Sequence, residues 1–218
     1  MTTDRNHTLV TIFDPALRLF HWGAAVLIPV LWWTAENGHY DWHRRIGLTM
    51  LGLVIFRILW GFIGPATARF GEFVKGPGAI LNYVQNLGRP YHPAAGHNPL
   101  GALSVIALIA VLAAQTSLGL FAVDVDGIES GPLSHLVSFD TGREAAELHE
   151  TNFKILTVLI VLHLGAIAFY RFGLGANLIP SMITGKRRAK PEDEIVFPVM
   201  RFMVAAAIAV VAVMAIVL

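Results

Sequence analysis

The sequence predicts an all-α membrane protein, a four-helix transmembrane bundle followed by a fifth, C-terminal transmembrane helix. Three observations carry that expectation. Apolar residues make up 55% of the chain and charged residues only 14%, too few charges to coat the surface of a soluble domain of this length. Apolar runs near or above the ~20 residues that cross the hydrocarbon layer recur at 16–35, 45–63, 100–123, 155–172 and 199–218. The alternation of apolar and polar residues that marks a lipid-facing barrel strand is absent, so helices are the remaining way to satisfy the backbone in lipid.

Each element has a local reason. The chain is polar up to Arg18, with no short apolar core before a small-residue cleavage site, so the first span is expected to act as its own insertion signal. Asp14 and Pro15 read as an N-cap and a proline at the first helical position. His21 then sits about two turns into span one, Pro29 should bend it, and Trp32 and Trp33 mark its far interface. A short turn, 36–42, contains Gly38 and His39, and His43 opens span two. Gly47 and Gly52 permit close approach of a neighbouring helix or a flat cofactor. Arg57 follows His43 by fourteen residues, and the span leaves through WGFIGP.

The connection 64–98 is long for a helix-to-helix link and holds a candidate interfacial amphipathic helix at 79–87. It ends in GHNPLG, with His97 just before span three, whose polar residues are Gln115, Thr116 and Ser117. The segment 124–147 is Gly-rich and acidic, a candidate docking face. Span four carries two histidines, His149 and His163. A polar linker containing Lys186, Arg187 and Arg188 leads to the fifth span, Ala- and Val-rich, which is expected to be a packing or anchoring helix with no chemistry.

Lys and Arg set the orientation. Arg5 and Arg18, then Arg69, Lys75 and Arg89, then Arg171 and Lys186–Lys190 place the N-terminus, the second connection and the late linker in the cytoplasm. Arg44 and Arg45, at the outer start of span two, run against this trend. With antiparallel neighbouring spans, His21 and His163 share an inner level and His43 and His149 an outer one. The fourteen residues between His149 and His163 return nearly to one helical face and separate the rings by roughly 21 Å.

Ionisable groups inside membrane helices are costly and usually functional. Two axial imidazoles per site on facing helices is how b-type haem is held without covalent attachment. The absence of cysteine excludes disulfides, Cys-ligated iron–sulfur clusters and c-type haem attachment. With both axial positions filled, electron transfer is favoured over oxygen chemistry. His39 is a rival to His43 but lies in the turn; His135 reads as a surface residue; His7, His92 and His97 read as non-ligands.

The strings DPALRLFHW, HRRIGL with RILWGFIGP, GHNPLG, LHE and VLH occur in order between Asp14 and His163. In them the chain resembles the bacterial cytochrome b561 and Ni-Fe hydrogenase b-type cytochrome group over roughly residues 12–185. The resemblance implies two b haems, an inner one on His21 and His163 and an outer one on His43 and His149. It also implies electron exchange between a quinone and a partner such as a hydrogenase or a c-type cytochrome. Arg57 is then a candidate contact for a haem propionate or a quinone oxygen, with snorkelling to the inner interface as the alternative.

These readings imply a bundle domain at 1–185, a linker and anchor at 186–218, and residence in a bacterial inner membrane with the N-terminus inside. A periplasmic redox protein is expected as partner, and no nucleic acid. Two other functions compete. A self-contained quinone-linked oxidoreductase acting on a small diffusible reductant calls for a basic outer entry, and the acidic outer segment argues against that. A transporter using the histidines as an ion path calls for broken helices or acidic groups within the spans.

Overall fold

The structure, a computed structural model, describes residues 8–86 and 98–218. Arg5, His7, Arg89, His92 and His97 lie outside the described residues. Among the described residues five helices are long and apolar enough to cross a membrane, as the composition predicts. In chain order the helices are α1 (Pro15–Glu36), α2 (Tyr40–Ile63), α3 (Phe70–Phe73), α4 (Pro77–Gln85), α5 (Pro99–Phe121), α6 (Phe139–Ala168), α7 (Ile179–Thr184) and α8 (Val199–Val217). A π-helical turn, Phe169–Gly173, extends α6. Two strands, β1 (Thr8–Thr11) and β2 (Lys186–Ala189), complete the set.

Two boundaries differ from expectation. Helix α2 begins five residues before the apolar run, so His43 lies within its first turn. Helix α6 begins at Phe139, which places Asp140, Glu144 and Glu147 on a helix instead of a loop. The start is set by Ser138, whose Oγ accepts the backbone N–H of Thr141 at 3.2 Å in N-cap fashion. Asp140 in the first turn suits the positive end of the helix dipole. The apolar periodicity that reveals the span begins only later, which hides this polar start.

The chain divides into two compact units. The first comprises residues 1–19, 59–106 and 161–203. There β1 and β2 pair antiparallel, Thr8 opposite Ala189 and Thr11 opposite Lys186. The Lys-Arg-Arg run, expected within a polar linker, is therefore a strand. Beneath this ribbon Val10, Ile12, Phe13, Leu17 and Ala189 form a buried cluster with Met182 against it. Helix α7 stops at Gly185, whose left-handed φ of 79° lets its carbonyl receive the N–H groups of both Ile12 and Phe13. Arg18 donates Nε to the Met182 carbonyl at 3.3 Å and Nη2 to that of Ile183.

A Cβ on Gly185 would lie 2.6 Å from the Phe13 carbonyl oxygen. Gly185→Ala is thus expected to lower the unfolding free energy by about 1–3 kcal/mol through strain and collision. Thermal unfolding in detergent checks it; an unchanged melting curve contradicts the closure described.

The expected N-cap is present: Asp14 Oδ1 accepts the Leu17 N–H at 2.9 Å. It also takes the indole N–H of the fully buried Trp60 at 3.2 Å. Gly61 in WGFIGP has no side chain because the ring of Phe70 occupies that space. Helix α4 starts at Pro77, two residues before the expected amphipathic segment, and none of its residues is buried. Its Tyr83 hydroxyl meets that of Tyr170 at 2.6 Å, and Asn98 donates to Tyr170 at 3.0 Å.

The second unit comprises residues 20–58, 107–160 and 204–218. Its core is Ala24, Met50, Val54, Leu112 and Leu156, one or two from each of α1, α2, α5 and α6. Gly52 faces Val213 of α8 at 3.4 Å, so this glycine serves helix packing. Thr116 returns its hydroxyl to the Leu112 carbonyl at 3.0 Å, and Gln115 accepts from Asn152 at 2.6 Å. The two neighbours satisfy other groups and not each other.

Candidate functional site

Within the second unit two of the expected histidines face each other. His43, in the first turn of α2, and His149, three turns into α6, have ring centroids 6.2 Å apart with planes at 75°. Neither ring is free to spin. His43 Nδ1 lies 2.9 Å from the Leu31 carbonyl of α1 and 3.3 Å from the hydroxyl of buried Thr34. His149 Nδ1 lies 2.9 Å from the Gln115 carbonyl of α5. A carbonyl can only accept, so each Nδ1 carries its hydrogen and each Nε2 keeps its lone pair. A carbonyl behind a ligating imidazole is the arrangement that fixes ring orientation and raises donor strength at metal centres.

The spacing suits a single metal ion between the rings. Imidazole nitrogen bonds to a metal are about 2 Å long, and each ring centre lies about 1 Å behind its nitrogen, which puts the centroids about 6 Å apart. Among the described residues no group of three or more His, Cys, Asp or Glu side chains is placed to hold a bare ion. Two imidazoles alone make a complete protein contribution only if other ligands occupy the remaining positions, as the four nitrogens of a porphyrin do.

Two glycines lie near the rings. Gly47, one turn after His43 on the same face, has nothing within 4 Å of the position a Cβ would take. Gly119 of α5 lies under His149, where a Cβ would stand 3.0 Å from ring atom Cε1. Asn152, one turn after His149, ties α6 to α5 through the Val111 carbonyl at 3.0 Å and Gln115 Oε1. Gly119→Val is therefore expected to tilt the imidazole off its carbonyl and weaken cofactor retention about tenfold while the helices still form. Cofactor per chain after dialysis reads the effect, and undiminished retention contradicts the role given to Gly119.

The other expected residues are placed as follows. His21 belongs to the second unit, edge-on to Trp22 at 4.9 Å, and His163 to the first; each is half-buried. Arg57 is buried, 1% exposed. His39 packs on Trp33 at 5.1 Å, and His135 is exposed. The Leu31 and Gln115 carbonyls, Thr34, Gly119 and Asn152 were missed from the sequence. Only Gln115 gave a signal, as a polar residue in an apolar span, and the group that matters there is its backbone.

The sequence profile of the prokaryotic cytochrome b561 family matches residues 12–185. No curated protein and no solved structure matched the chain.

Proposed function

The chain belongs to the prokaryotic cytochrome b561 family, and from that premise we propose that it is a di-haem b-type cytochrome passing electrons between a quinone and a partner redox protein. Membership makes it a multi-pass membrane protein of b-type haem electron transfer. The finer reading is supported above all by one observation: two facing imidazoles, each pinned through Nδ1 to a carbonyl, with Nε2 left to bind metal.

His43 and His149 would hold one haem; for the second, the family resemblance implies His21 and His163. Bound haem supplies reversible one-electron chemistry at iron. The residues supply the rest. Imidazoles from two helices would supply both of the protein's bonds to the metal, leaving no position there for oxygen or substrate. The Leu31 and Gln115 carbonyls hold the rings in place, so little reorganises when an electron moves. Arg57, buried in the protein, is the candidate contact for a propionate or a quinone oxygen, which its planar guanidinium fork suits. Asp140, Glu144 and Glu147 lie exposed on the first turns of α6 and present a negative face to a cationic partner such as a c-type cytochrome, or to a hydrogenase. The chain then sits in a bacterial inner membrane with its N-terminus inside.

Purified protein should show about two b haems per chain in the pyridine haemochrome assay, and quinol in proteoliposomes should reduce them. A colourless preparation contradicts haem binding. Full haem content with no reduction by quinol contradicts the quinone link alone.

A further inference from the structure

Helix α2 opens with two adjacent arginines that the haem site does not use. Both line a cavity of about 470 Å³ in the second unit, together with Ser130, Ser134, His135 and, from the last turn of α8, Val217. That volume lies within the range of small-ligand sites. The cavity opens where α2 begins and α8 ends, so it sits at the level where membrane helices meet lipid head groups. Exposed Trp42 and Tyr40 beside it are the aromatic residues expected at that level.

The charges are arranged unevenly. Arg44 is held by Asp41 at 2.5 Å, Glu129 at 3.0 Å and the Ser130 carbonyl at 3.3 Å. Three contacts fix it as part of the wall. Arg45 stands over the Trp42 ring at 5.7 Å, and among the described residues no carboxylate reaches it. Its planar fork of N–H donors matches an oxyanion, and the stacked indole keeps the fork in one orientation. Asp41 is the acidic member of the lining, and its carboxylate is already engaged by Arg44. Leu48, Pro132 and Val217 add an apolar part to a lining that also holds Ser130, Ser134 and His135, which suits a ligand that is anionic at one end and greasy at the other.

We propose that this cavity binds a phosphate oxyanion, supplied by the head group of an anionic phospholipid, with Arg45 as its main contact and α8 as the wall that closes the site. The fifth helix then has a function besides anchoring. Arg45 remains exposed at the mouth, and α8 contributes Val217 to the lining as an apolar surface for the lipid's chains.

Calorimetric titration of the haem-loaded protein in detergent tests this with three probes: dihexanoyl phosphatidylglycerol, dihexanoyl phosphatidylcholine and inorganic phosphate. Phosphatidylglycerol should bind at least tenfold more tightly than phosphatidylcholine, whose own cation sits beside the phosphate. Arg45→Gln should weaken it about tenfold by removing the charge. Val217→Trp should do so by filling the cavity. Unchanged haem spectra in both variants show that the fold persists. Binding of inorganic phosphate alone, with the same dependence on Arg45 and Val217, upholds the oxyanion site and assigns it a soluble source. Equal binding of phosphatidylglycerol to wild type and both variants overturns the proposal, as does the absence of binding by any probe.

Discussion

His149→Ala is expected to leave the protein with about one b haem per chain in place of about two, with the remaining haem still reducible. In the proposed site the imidazole would supply one of two protein bonds to the iron, and alanine offers none. The Gln115 carbonyl also loses the imidazole N–H that it accepts at 2.9 Å. The specificity of the loss is the stronger test. His43→Ala must remove the same haem, because both rings serve one metal, and the double variant must lose no more than either single one. His163→Ala and His21→Ala must instead remove the other haem. Difference spectra with a haemochrome count on the four single variants separate these classes. If His149→Ala keeps both haems, or if His43→Ala and His163→Ala share a spectrum, the pairing is wrong.

Asp14→Ala carries the largest expected effect on stability. Its side chain is fully buried, caps α1 through the Leu17 N–H and accepts the indole N–H of Trp60. Removing a cap costs about 1 kcal/mol, and leaving a buried donor unpaired costs about 1–3 kcal/mol more. A loss of about 2–4 kcal/mol in unfolding free energy follows from those two terms. Asp14→Asn keeps an acceptor at the same place and should recover most of it. Trp60→Phe discards the donor and should cost less than Asp14→Ala. Denaturant unfolding followed by circular dichroism reads all three, and an Asp14→Ala protein as stable as wild type would falsify this account of the α1 start.

Much of the architecture was legible because lipid imposes a coarse rule, about twenty apolar residues per crossing. The expectation that His43 and His149 share a level followed from the antiparallel order of the spans, and the two rings do lie against one another. What escaped was governed by contacts rather than periodicity. The four-residue strands β1 and β2 are too short to show a pattern, and Lys-Arg-Arg looks the same on a strand as in a charged linker. The start of α6 is polar, so only its Ser138 cap could have announced it. Leu31 and Gln115 position the rings through backbone carbonyls, and every residue has one. Arg44 and Arg45 were visible as an exception to the charge rule, but the cavity they line depends on Ser130, His135 and Val217 arriving from distant parts of the chain.

The central claim is that one iron sits between Nε2 of His43 and Nε2 of His149, with Nδ1 of each ring on its carbonyl. An iron-edge anomalous difference map of the haem-loaded protein tests it directly. The account predicts a peak about 2 Å from both nitrogens. A map with no peak between these rings, or with iron bound by only one of them, contradicts it.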